Sequence, residues 1–205
     1  MDSRNLLWAR RLAAIAQNGL TYAVNAYDKE RYTALREIVV EMMEYGSGVE
    51  MELIREAFAR EFGYMTPKVD VRAAAFRDGR ILLVREREDD CWTLPGGWAD
   101  VGDSPSEVAV RETKEESGFD VRPVKLAALY DRDRRGHPPI PYHAYKAFFL
   151  CELTGGAAAT STETSGVDFF AEDALPPLSL TRVTPGEIRH LFEHLRHPEW
   201  PASFD

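Results

Sequence analysis

The chain reads as an α/β protein preceded by a helical region, and three observations carry that reading. Apolar residues recur at helical spacing over residues 1–65, the texture beyond Pro67 turns to short apolar runs around an Asp78-Gly79 turn, and a helix bounded at both ends follows. The division is expected at residues 1–65 and 66–205.

In the first region Trp8, Leu12 and Ile15 share one helical spacing, Leu35, Ile38 or Val39 and Met42 a second, and Ile54, Ala57 and Phe58 a third. Asn25 to Asp28 and Tyr45 to Gly48 punctuate these into three helices. Trp8 and Tyr22 are expected to serve helix packing. In the second region Val69 to Phe76 and Arg80 to Val84 predict a hairpin about Asp78-Gly79. Leu94-Pro95-Gly96-Gly97 then breaks regular structure and lets backbone approach a ligand closely. Ser104-Pro105-Ser106-Glu107 spells a capping box with proline at the first helical position, and Gly118 is the matching stop. Further strands are expected at Val124 to Tyr130, Tyr142 to Leu153 and Val167 to Phe170, with a small polar loop from Thr154 to Ser165 and a last helix from Pro185 to Leu195.

Composition excludes several classes. At 205 residues and 44% hydrophobic the chain can bury a sizeable core, and no run of about 18 apolar residues or secretory leader stands in it, so a cytoplasmic protein without a membrane partner is expected. Cys91 and Cys151 form no metal-binding or disulfide pattern. A net charge of −9 opposes extended nucleic-acid contact but allows a small phosphorylated ligand, because a bound cation and a few arginines can reverse the field in one cleft.

The chemistry concentrates in the bounded helix. Glu112, Glu115 and Glu116 stand at i, i+3 and i+4, where like charges repel, and at a helix C-terminus, where each misplaced negative charge costs roughly 0.3–1 kcal/mol. Oxygen-only ligands suit a hard divalent cation, Mg²⁺ above all, which binds through one or two carboxylates together with substrate phosphates. A solvated acidic face is the ordinary alternative; the capping box, the glycine stop and the preceding Gly-Gly loop favour a built site.

The run GWADVGDSPSEVAVRETKEESGF, residues 97–119, resembles the Nudix box, G-x5-E-x7-R-E-U-x-E-E-x-G-U, with U a bulky apolar residue. Asp103 replaces the usual glutamate and Thr113 the usual aliphatic residue; the buried hydroxyl of a threonine would need a partner. The similarity extends through WARRLAAIAQNGLTYA, YDKERYTALREI, LYDRD and FFAEDALPPLS to a bacterial Nudix branch with an N-terminal helical extension that acts on X-linked nucleoside diphosphates, CDP-choline and ADP-ribose pyrophosphatases among them. That resemblance implies an α/β/α sandwich around a mixed sheet, with the extension completing the substrate cleft or a homodimer contact.

It also implies roles. Glu112 and Glu116 would be metal ligands, the Gly97 carbonyl a backbone ligand, and Glu115 a third ligand or the base; Arg111 would orient a glutamate. Glu163 in the polar loop is a second candidate base, on a segment that would close over substrate, and Asp168, Glu172 and Asp173 compete with it weakly. For substrate contacts, Arg85 could reach phosphate, and Trp98 and Tyr142 could stack on a base or ribose, against the commoner packing roles of such residues. The implied activity is Mg²⁺-dependent hydrolysis, with Mn²⁺ as substitute, of a nucleoside diphosphate linked to X into a nucleoside monophosphate and phospho-X. The alternatives are processing of an RNA end and a nucleotide-sensing regulator without turnover.

Overall fold

The structure is a computed structural model that describes residues 3–47, 50–59 and 63–205. Gly48 and the side chain of Ala57, both part of the helical reading, lie outside what is described. Contacts divide the chain into two compact units, one of residues 1–67 with 139–143, the other of residues 68–138 with 144–205. No helix among the described residues is long and apolar enough to cross a membrane.

The first unit holds α1 (Ser3–Tyr22), α2 (Ala26–Ser47) and α3 (Met51–Ala59). Asn25 starts α2 by accepting the Asp28 amide at 2.8 Å. Leu6, Ala9, Ala13 and Ala16 are the buried apolar residues of α1, and Ala9 and Ala13 pack with Val39, Val40 and Met43 of α2 and Ile54 and Phe58 of α3. This corrects the expectation for Trp8 and Tyr22: they are 48% and 68% exposed, and with Ile15 they form an outward stripe. The core of this pair takes the small residues because α1 and α2 approach closely; a Cβ on Gly19 would collide with the ring of Tyr32. Residues 139–143, placed with the second region by the sequence reading, group with the helices, and there Arg10 Nε donates to the Ile140 carbonyl at 3.1 Å.

The second unit contains β1 (Lys68–Arg77), β2 (Arg80–Glu86), β3 (Trp92–Thr93), β4 (Gly96–Trp98), α4 (Pro105–Ser117), β5 (Phe119–Asp131), β6 (Ala144–Gly156), β7 (Thr164–Phe170), α5 (Pro185–Arg196) and β8 (Ser203–Phe204). Asp78 and Gly79 both take positive φ, 50° and 70°, as a two-residue hairpin turn of the primed type requires. The sheet order is β3-β2-β1-β6-β5-β8, with β4 paired to β1 and β7 to β2. It is mixed, because β1 runs parallel to β6 and β5 parallel to β8 while the remaining pairs are antiparallel.

Helices cover both faces. Val108 and Ala109 of α4 pack with Val71, Ala73, Leu82 and Ala147, whereas Ile188, Leu191 and Phe192 of α5 pack with Ala74, Ile81, Leu83 and Phe148. Alternate residues of β1 and β2 therefore point to opposite helices, which is why both strands are buried almost without interruption. The sheet is the centre of an α/β/α sandwich.

Candidate active site

Both caps of α4 form as the sequence requires. Ser104 and Glu107 close the capping box, and Gly118 stops the helix at φ 77° with its amide on Lys114. The hydroxyl of Thr113, at a position fully buried against the sheet, bonds the Ala109 carbonyl at 2.6 Å, so the polar substitution in the box is satisfied within its own helix. These contacts fix the rotation of α4 and so decide which glutamates are buried.

The three box glutamates part ways. Glu116 is buried, and its Oε2 accepts the Gly96 amide at 3.0 Å. Glu112 is largely buried, and its Oε1 accepts Arg111 Nη1 at 2.6 Å. Glu115 is 61% exposed and meets Arg111 at 3.6 Å. Arg111 also reaches Asp103 at 3.3 Å and Asp100 at 3.5 Å, so it spans the loop and both outer glutamates. The shorter Asp103 keeps the contact with this arginine.

The Gly-Gly segment forms a short strand, β4, rather than the irregular break expected, with Gly96 and Gly97 opposite Arg72 and Val71. Gly96 has φ 144°, and a Cβ there would run into the Val71 backbone. A Cβ on Gly97 would stand 3.3 Å from the Glu112 carboxyl, which places the Gly97 backbone beside that glutamate.

Two residues that sequence reasoning missed complete the electrostatics. Arg72, buried on β1, donates to Asp70 at 2.9 Å and to the Leu94 carbonyl at 3.1 Å, while Lys146 pairs with the other oxygen of Asp70. Burial pushes the Asp70 carboxyl up, but the charges of Arg72 and Lys146 outweigh it and hold it below the usual range. Glu86, the last residue of β2, is also buried, and Arg182 approaches it at 3.4 Å. Burial raises the carboxyls of Glu86 and Glu112, against Arg182 and Arg72 for the first and against Arg111 for the second. Glu116 is pushed up to about 8, by burial above all; Arg72 and the Gly96 amide oppose the shift, and Glu86 and Glu112 add to it. Alternation along β2 could have found Glu86, since Leu82 faces α4 and Glu86 lies four residues on.

The remaining candidates are dispersed. Glu163 is exposed on a turn whose backbone is held, its carbonyl by the Arg87 amide at 2.9 Å and its amide by Ser161 Oγ at 3.1 Å. The next residue, Thr164, is buried and donates to the Glu116 carbonyl at 2.7 Å, tying this turn to the end of α4, and the charge of Glu163 is felt at Glu86. Arg85 is engaged by Asp90 at 2.5 Å. Trp98 is partly exposed on β4, and Tyr142 belongs to the helical unit. Asp168 and Glu172 serve local contacts, Asp168 with the Phe169 amide and Glu172 with Arg196.

A helix carrying this carboxylate set, packed on a mixed sheet behind a Gly-Gly strand, can now be compared with known proteins. The family described as the NUDIX domain matches residues 66–192. The chain belongs to the Nudix family of pyrophosphate hydrolases. A second family, described as a UDP-X-like, N-terminal oligomerisation domain of Nudix proteins, matches residues 3–58. The provisionally named ADP-ribose pyrophosphatase YjhB of Bacillus subtilis is 48% identical over 197 residues, 96% of this chain and 95% of that protein. Among solved structures, a UDP-X diphosphatase is 33% identical, with complete coverage of both chains and a TM-score of 0.64. An ADP-ribose pyrophosphatase from Streptococcus suis is 41% identical, covers 68% of this chain and all of its own, and has a TM-score of 0.64.

Nudix enzymes generally use a divalent metal, and the donor set here fits one. All the side-chain donors are carboxylate oxygens, the donor type that suits a hard cation, and the Gly97 backbone stands beside the Glu112 carboxyl.

Arg72 is the cation on which this buried group depends. Arg72→Met should lower unfolding stability by about 3–5 kcal/mol in urea denaturation, the range for removing one partner of a buried ion pair. Arg72→Met within about 1 kcal/mol of the parent chain, the scale of an exposed ion pair, would show that the pair contributes little.

Proposed function

We propose that this Nudix chain is a Mg²⁺-dependent pyrophosphohydrolase that splits a nucleoside diphosphate linked to X into a nucleoside monophosphate and phospho-X, with ADP-ribose as first candidate and CDP-choline as second. The observation that carries the reading is the likeness to YjhB, which runs through the helical unit as well as the Nudix domain. Two solved relatives, one an ADP-ribose pyrophosphatase and the other a UDP-X diphosphatase, support the same substrate class.

In this reading Glu112 and Glu116, with the Gly97 carbonyl, hold the cation. When bound, it neutralises charge on the bridging phosphates and lowers the pKa of the attacking water. Arg111 fixes the Glu112 carboxylate through its 2.6 Å contact and so orients it. Glu163 takes the proton from the water. Its backbone is anchored to the sheet while its side chain stays in solvent, so the carboxylate is free to reach a bound substrate without being committed to a cation. Glu115, exposed and held only by Arg111, is the competing base.

The chain is further proposed to act as a homodimer through its helical unit. Trp8, Ile15 and Tyr22 recur every seven residues on the outward face of α1, the spacing of a seam that meets another helix. The corresponding family is described as an oligomerisation domain.

The substrate class is tested by a panel. With Mg²⁺, ADP-ribose or CDP-choline should show a markedly higher kcat/KM than nucleoside triphosphates, excess chelator should abolish turnover, and Glu116→Gln should lose it while remaining folded. A preference for triphosphates would move the chain to another substrate class.

Paired variants identify the base. Glu163→Gln should lower kcat by about 10²–10⁴ with cation affinity unchanged, the loss expected for a general base. A nearly silent Glu163→Gln beside a Glu115→Gln that binds cation without turnover would place the base on α4.

Light scattering reads the dimer. Ile15→Lys, which puts a charge in the middle of the stripe, should halve the mass in solution, and an unchanged mass would remove α1 from the interface.

A further inference from the structure

The cation site as read so far draws its side chains from one helix. We propose that Glu86 is a further ligand of the same cation site, presented from the sheet opposite the box helix. The inference rests on the proposed cation dependence and adds to it a residue outside the box.

Three features of the fold aim Glu86 at this place. It continues the alternation of β2 that turns Leu82 toward α4, so its side chain lies on the face that α4 covers. Its neighbour across the sheet is Thr164, whose hydroxyl bonds the Glu116 carbonyl at 2.7 Å, so the end of β2 is linked to the end of α4 through a single residue. The pairing of β2 with β7 also shifts by one residue at this point, from Arg85 opposite Gly166 to Glu86 opposite Thr164. The extra residue falls on β7, so the alternation of β2 runs on to Glu86 unbroken, and bulges gather beside active sites.

The electrostatics agree with the geometry. The charges of Glu86 and Glu112 both act on the Glu116 carboxyl. Burial raises Glu86 itself even with Arg182 at 3.4 Å and Arg72 acting on it. Arg182 is in any case engaged by Glu88 and Asp89 as well.

Mn²⁺ binding to the full-length protein, measured near neutral pH by electron paramagnetic resonance of the free ion and by calorimetry, tests the assignment. Glu86→Gln should weaken Mn²⁺ binding by about tenfold or more, the lower end of the effect seen when even a supporting residue of a metal site is lost. Arg182→Gln, which removes the ion pair but keeps the carboxylate, should bind Mn²⁺ like the parent chain. If Glu86→Gln does not fold, Glu86→Asp, which keeps the charge on a shorter arm, should show the weakened binding instead. Parent-like affinity in the folded Glu86 variant, or an equal loss in Arg182→Gln, would overturn the inference. Glu116→Gln separates it from the reading beneath it: lost binding there with Glu86→Gln unaffected sinks only the role of Glu86, and retained binding in Glu116→Gln sinks both.

Discussion

Arg72 carries its charge inside the sheet, where an unmatched guanidinium would cost several kcal/mol, and the site is arranged around matching it. Asp70 takes one side of the guanidinium at 2.9 Å and the Leu94 carbonyl another at 3.1 Å. The charge of Glu116 then acts on Arg72 from the side of α4, and Gly96 donates its amide to Glu116 at 3.0 Å. The Leu94 to Gly96 segment is thereby strung between a buried cation and a buried anion. Lys146 on β6 closes the set by sharing Asp70, which brings two adjacent strands, the Gly-Gly segment and the box helix into one charge balance. Such a group is a poor source of net stability, because desolvation offsets most of the attraction, but it fixes a geometry that apolar packing would leave free.

What the sequence made legible follows from how local each signal is. The capping box, the glycine stop and the Asp78-Gly79 turn are set by a few adjacent residues, and each forms as read. The strands that were missed, β3, β4 and β8, have two or three residues each and carry no periodicity of their own; β4 exists because Gly96 and Gly97 lack the side chains that would keep backbone away from β1. The box spacing singled out Glu112, Glu115 and Glu116 together but could not separate them. Their difference in burial comes from the packing of α4 on β1 and from the approach of Gly96 and Thr164, contacts made across 20 and 48 residues of chain. Arg72 was hidden for the same reason, since a charged residue in an apolar strand reads as an edge until its partners from other strands are known, whereas Glu86 lay within reach of the alternation along β2.

The helical unit shows the opposite failure, in which a clear pattern points the wrong way. Large apolar residues at positions 8, 12 and 15 give α1 a helical period, yet of the three only Leu12 packs on the core, which is lined by Ala9 and Ala13 one step round the helix. Hydrophobicity scales weight Trp8 and Ile15 above alanine, although close helix contact selects small side chains. A periodic stripe of large residues therefore states that a face is apolar and leaves open which partner covers it.

The same distinction applies to charge at the box helix. Three glutamates at the C-terminal end of α4 work against the helix dipole, and two of them are also taken from water, so the arrangement opposes stability twice over. Arg111 and Arg72 offset part of this from opposite sides, the first from solvent against Glu112 and Glu115, the second from the core against Glu116. Burial outweighs both, and the carboxyls of Glu112 and Glu116 stay raised. A fold selected for stability alone would replace such residues with neutral ones of similar shape. In a helix whose caps are both complete, that cost sets these residues apart from those that serve the fold, and it falls on the face proposed to hold a cation.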